Sequence, residues 1–154
     1  MDFETFATTV RTGNLNDIQQ LINAGAPLYD GGRLALTQTL HLNKYRRLPT
    51  IKLLVDNEAP FSNNRSSFIT NLFRHQGGND NDLLEIIQFC IDHGCNVFEV
   101  DRYGRTALDW AKADAFERGR QSNYSENKLC AIEYLESMMY KCAIRMHEEL
   151  GPGF

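Results

Sequence analysis

The feature that most limits how this 154-residue chain can fold is an apolar triplet that returns at long intervals. Ile18, Leu21 and Ile22 are followed by Ile51, Leu54 and Val55, and then by Ile87, Cys90 and Ile91. Ile51 stands 33 residues after Ile18, and Ile87 stands 36 residues after Ile51. Inside each triplet, steps of three and four place the side chains on one face of a helix. A short helix cannot bury such a stripe alone, whereas copies of one unit stacked side by side can. The chain is therefore expected to be built from repeats.

Each triplet should be preceded by a turn and a first helix, and residues 101–111 write that part most clearly. Asp101 and Gly104 suit a tight turn, since Asp bonds the backbone ahead of it and Gly accepts φ > 0. Thr106 is placed to cap the helix that follows, with Leu108 and Ala111 starting its apolar face. This stretch resembles the opening of an ankyrin repeat, Asp-x-x-Gly-x-Thr-Pro-Leu-His-x-Ala, with Ala107 in place of Pro and Asp109 in place of His. Residues 13–18, Gly-Asn-Leu-Asn-Asp-Ile, and 21–26, Leu-Ile-Asn-Ala-Gly-Ala, resemble the second half of such a repeat. His93-Gly94-Cys95-Asn96-Val97 is similar to the family's closing Gly-Ala-x-Val.

The resemblance implies an all-α fold, an ankyrin-repeat solenoid of stacked helix-turn-helix units with an elongated C-terminal capping helix. One domain is expected over residues 1–150, with repeats at about 1–27, 28–61, 62–97 and 98–150, and a frayed tail at 151–154. Phe3, Phe6, Ala7 and Val10 give the first helix its inner face, and Gly25 ends the second. In the second repeat, Gly31-Gly32 supplies the turn, residues 43–49 form a long basic loop, and Pro49 sits in the first turn of the next helix. In the third, Asn64 takes the turn-glycine position, Ser66 caps, and Phe68 fills the Leu position. A glycine-rich polar break runs over 76–82. In the fourth, a polar insertion at 119–127 delays a terminal helix with an apolar stripe of Leu129, Ile132, Leu135, Met139, Ala143 and Met146. Lys128 and Glu133 are assigned to its outer face, and Trp110 is expected to pack against it.

Charge and motifs exclude several functions. A net charge of −4 disfavours a nucleic-acid surface, which needs clustered Lys and Arg. No apolar run is long enough to span a bilayer. Met1-Asp2-Phe3-Glu4 lacks the basic and apolar regions of a signal peptide, so a cytoplasmic location is expected, with its cysteines reduced. Cys90, His93 and Cys95 lack a Cys-x2-Cys pair and a second cluster, so no metal or other cofactor is expected. Histidines 41, 75, 93 and 147 share no motif, and no P-loop, Gly-x-Ser-x-Gly or His-Glu-x-x-His occurs, so an enzyme is not expected.

A protein partner is expected instead, bound by a monomer that inhibits, neutralises or tethers it. Overlaying the repeats puts Arg33, Arg65 and Arg105 in one column, after the turn residue. The resemblance places that column at the edge of a concave face, where Arg forks would meet an acidic patch. The same overlay puts Asp30, Asn63, Arg102 and Tyr103 on contact turns. It puts His41, Phe73, Arg74 and Asp114 at the exposed ends of first helices. The 44–47 basic loop is a second possible contact. The alternative is a structural or self-associating scaffold subunit that pairs through the Met-rich terminal helix.

Overall fold

Side-chain caps set where most of the helices begin. Asp2 accepts from the Thr5 amide, Asn14 from Asp17, Asn43 from Tyr45 and Arg46, and Thr106 from Asp109, each tying down amides that a helix start leaves without partners. The computed structural model describes residues 1–75, 82–114 and 125–150. Among them run α1 (Phe3–Val10), α2 (Leu15–Asn23), α3 (Ala35–Gln38), α4 (Lys44–Asp56), α5 (Phe68–His75), α6 (Leu83–Asp92), α7 (Ala107–Lys112) and α8 (Glu126–Leu150). A 3-10 turn at Thr39–His41 continues α3.

The domain is mainly helical but departs from the all-α expectation in one place. Strands β1 (Tyr29–Asp30) and β2 (Arg33–Leu34) pair antiparallel, Tyr29 with Leu34 and Asp30 with Arg33. The two residues between them are Gly31 and Gly32, and Gly31 has φ 57°, so the chain reverses tightly enough for its flanks to pair. A single bridge, Ser62 to Ser67, marks the corresponding turn of the third unit.

α1 packs on α3, α3 on α5 and α5 on α7; α2 packs on α4, and α6 on α8. The core runs through Phe6, Ile18, Leu36, Ile51, Leu54, Phe68, Leu72, Ile87 and Leu135, all fully buried. Three helices end in the same way. The amides of Ala26, Ala59 and Cys95 bond the carbonyls of Leu21, Leu54 and Cys90, at 3.0, 3.0 and 2.9 Å. The residue before each amide has positive φ: Gly25 90°, Glu58 67° and Gly94 94°. Hydrogen bonds from Ala35 to Leu28 and from Phe68 to Phe61 recur in the same manner at the turns.

Several local expectations are overturned. Residues 43–49 do not form a loop, because Asn43 caps α4 and the helix runs straight through Pro49. Pro49 removes an amide that would reach Tyr45, a residue 79% exposed, so that carbonyl can turn to water. Arg47, read as part of a basic loop, is buried at 4% exposure, and its Nη1 donates to both oxygens of Asp82 at 3.1 Å. Asn64 does not occupy the left-handed region. Asn63 makes that turn instead, its side-chain oxygen accepting from the amides of Arg65 and Ser66. Ser67 rather than Ser66 faces the start of α5, accepting from Thr70.

The terminal helix is turned relative to its expected stripe. Lys128, Ala131 and Leu135 are its buried residues, and Leu129, Ala143 and Met146 are exposed. Lys128 therefore belongs to the interior, where its ammonium lies 3.9 Å from Asp114. From Ala143 onward the helix has no buried residue and extends beyond the core. The expected break at 76–82 lies outside the described residues except for Asp82, which begins α6. Most of the expected 119–127 insertion and the 151–154 tail lie outside them too, but residues 126–127 already belong to α8.

Candidate functional site

The turn of the fourth unit is built around one carboxylate. Asp101 Oδ1 accepts from the amides of Tyr103 and Arg105, and Oδ2 accepts from the Trp110 indole at 2.7 Å. Gly104, at φ 73°, closes the turn, and Thr106 and Asp109 form a reciprocal capping box at the start of α7. Trp110 is thus tied back to the turn by its indole. Its ring meets that of Tyr103 edge-on, with centroids 6.2 Å apart.

Arginines cover these two rings. Arg74, at the end of α5, lies 5.0 Å from the Tyr103 centroid and 5.2 Å from that of Trp110. Arg105 stacks 4.8 Å over Trp110, and Arg102 4.9 Å over Tyr103. Such contacts orient a guanidinium while leaving its N–H edge able to donate, and contribute about 0.5–1 kcal/mol each at exposed sites. Arg102 Nη2 also donates to the Tyr103 hydroxyl at 2.8 Å. Arg102 first, and Arg74 second, hold the Tyr103 hydroxyl below its usual pKa by hydrogen bonds that favour the phenolate.

Beside this cluster lies a cleft of about 570 Å³, formed where the second, third and fourth turns meet. Arg65, Arg74 and Arg102 supply its charge, Ser66, Ser67 and Asn71 its neutral polar groups, and Gly32 and Asp101 the remaining wall. Gly32 matters sterically: a Cβ there would stand 3.2 Å from Arg65 Cβ, so the hairpin turn and the third turn press together. Among the described residues, none of Arg65, Arg74, Arg102 and Arg105 pairs with a carboxylate.

The expected contact residues divide accordingly. Arg65, Arg74, Arg102, Tyr103 and Arg105 are gathered at this cleft or its rim. Arg33 is not: it donates to Glu4 at 2.9 Å and Asp30 at 2.7 Å and stacks over Phe3, so the three-arginine column breaks at its first member. Asp30 is exposed and held by that pair. Asn63 is a structural brace, donating to the Gly31 carbonyl at 2.6 Å. His41 is exposed at the end of its 3-10 turn, with no tie to the cleft. Phe73 is 2% exposed and belongs to the core, because α5 buries both 72 and 73 between its neighbours. Asp114 faces Lys128 at 3.9 Å and keeps only 14% of its side chain exposed. Trp110, Asp101, Ser66 and Asn71 were missed as site residues. For Trp110 the sequence signal was the crowding of Arg, Tyr and Trp within 102–110, which Asp101 immediately precedes; Ser66 and Asn71 lie outside that run.

Among the described residues no group of His, Cys, Asp and Glu is arranged to hold a metal ion, and no helix is long and apolar enough to cross a membrane. Cys90 and Cys95 are buried, which pushes both thiols up, Cys95 to about 12, and leaves them poor nucleophiles. No family model, curated protein or solved structure matches the chain.

Proposed function

We propose that the chain is an array of four degenerate ankyrin-type repeats that binds an acidic segment of one partner protein, and thereby inhibits, neutralises or tethers it. The array reading is supported by the helix endings at Gly25, Glu58 and Gly94, which share one hydrogen bond and one backbone conformation at near-constant intervals. It is supported also by the succession of α1, α3, α5 and α7, each packed on the next.

The binding reading rests on one observation. Among the described residues, three guanidiniums without carboxylate partners, those of Arg74, Arg102 and Arg105, lie against Tyr103 and Trp110, and a fourth, that of Arg65, lines the adjoining cleft, in a protein whose net charge is −4. Arg, Tyr and Trp are the residue types that dominate interfaces, and Arg forks suit carboxylates. A merely solvated surface would spread its arginines and pair them with the more numerous acids.

The self-associating alternative has less support. Tyr140, Ile144, Met146 and Leu150 are exposed on the free end of α8, but Met146 lies about 120° around the helix from Tyr140 at 100° per residue. That spacing makes two short patches instead of the single seam a helix pair needs.

Capture from cells that express the protein tests the reading. A partner should be retained by wild type and lost from a folded Arg65/Arg74/Arg102→Glu variant. Retention by that variant would remove the cleft from the interface.

A further inference from the structure

We infer that the cleft takes a doubly charged phosphate monoester, carried by a phosphorylated side chain of the partner segment. This deepens the reading above and rests on the cleft being the contact surface. The charge balance is the first reason. Arg65, Arg74 and Arg102 line the cleft with Asp101, whose two oxygens are already engaged by Tyr103, Arg105 and Trp110. Three cations and one anion leave a charge of +2, which a phosphorylated side chain of about −1.5 to −2 matches and a single carboxylate does not.

Acceptor geometry is the second reason. One carboxylate has two oxygens and is satisfied by one Arg fork, which would leave the other two guanidiniums of the cleft without an anion. A phosphate monoester presents three terminal oxygens, one for each arginine. Neutral donors are in place beside them. The Ser66 hydroxyl accepts from Asn71 Nδ2 at 3.1 Å, which leaves its own proton for a ligand.

Preorganisation is the third. Arg74 and Arg102 are already laid on aromatic faces, so little side-chain freedom remains to be lost on binding. A long polyanion is disfavoured, because the chain as a whole is acidic and the basic patch is local. A short dianion on a peptide fits both facts.

Four probes test this by titration: a peptide with a central phosphoserine between glutamates, the same peptide with glutamate at the centre, inorganic phosphate, and an oligouridylate. Arginine Nε–Hε signals in NMR spectra report where each binds. The phosphopeptide should bind at least about tenfold more tightly than its glutamate counterpart, as one added charge-assisted contact implies. It should shift Arg65, Arg74 and Arg102, and inorganic phosphate should compete with it. Arg74→Gln and Arg102→Gln should each weaken it by at least about tenfold, Arg74→Lys should restore only part, and Arg33→Gln should change nothing. Equal affinity for the two peptides would overturn the phosphate inference and leave the acidic-segment reading standing. Binding of neither peptide would overturn both. Tighter binding of the oligouridylate would assign the cleft to nucleic acid and overturn both as well.

Discussion

Removing the Asp82 carboxylate should be among the most damaging surface-distant changes in this protein. Arg47 rises from α4 with its side chain 5% exposed, and its Nη1 donates to both oxygens of Asp82, which opens α6 and is 11% exposed. Its Nη2 donates to the Leu42 carbonyl at 2.7 Å. The pair therefore ties the second helix pair to the third. In Asp82→Ala the buried guanidinium would lose this carboxylate, and breaking such a pair from one side costs about 3–5 kcal/mol. For a chain of this length, each kcal/mol lowers the melting temperature by about 2–4 °C, so the expected drop is about 6–20 °C. Arg47→Met should cost less, because Asp82 retains some water and the favourable end of α6. The double variant Arg47→Met/Asp82→Leu removes both charges and fills the space, and should return close to wild-type stability. Urea unfolding followed by circular dichroism at the helix band measures the three variants beside the wild type. A cost below about 1 kcal/mol for Asp82→Ala would refute the argument, as would a double variant no more stable than Asp82→Ala.

Other consequences are open to direct measurement. Glu58 holds a left-handed conformation (φ 67°) that Gly25 and Gly94 hold in the matching places, so Glu58→Gly should stabilise by about 0.5–1 kcal/mol, read from the urea midpoint. An unchanged midpoint would mean that the strain is relieved locally. Asp101→Ala removes the acceptor for two amides and the Trp110 indole, and should cost about 2 kcal/mol and alter the fluorescence of the single tryptophan. Unaltered emission would show that the indole bond is not made. Burial raises the pKa of Cys90 and Cys95, so the folded state holds protons that the unfolded state loses. Stability should be level below the ordinary thiol pKa of about 8.5 and fall as pH rises above it. In the native protein a thiol reagent should reach Cys130 and Cys142 well before Cys90 and Cys95, and equal rates would contradict their burial.

The sequence was most legible where one residue's chemistry decides the backbone. Gly13, Gly25, Gly94 and Gly104 all take positive φ, and Asn14 and Thr106 cap as their side chains allow. The inner face of α1, Phe3 to Val10, is also as its periodicity requires. What the sequence hid depends on neighbours far along the chain. Arg47 in a run of basic residues looks solvated, and only the approach of Asp82, 35 residues on, explains its burial. Lys128 and Asp114 hide each other for the same reason. The cleft was half visible. Arg65, Arg102, Tyr103 and Arg105 follow from the repeat register, and Arg74 from its place at the end of α5. The register also offered Arg33, Phe73 and Asp114, since overlaying repeats assumes equal surroundings for equal positions. Glu4 and Asp30 around Arg33, and the core around Phe73, break that equality.

Trp110 is the one tryptophan of the chain, and it sits under two of the arginines that define the proposed surface. Its emission during titration with a glutamate-rich peptide reports binding at that surface, with a lysine-rich peptide of equal length as the control. The account predicts a saturable change with the acidic peptide alone, weakened by salt and abolished in Arg65/Arg74/Arg102→Gln. A saturable change that persists undiminished in that variant, or the absence of any change with the wild-type protein, would contradict it.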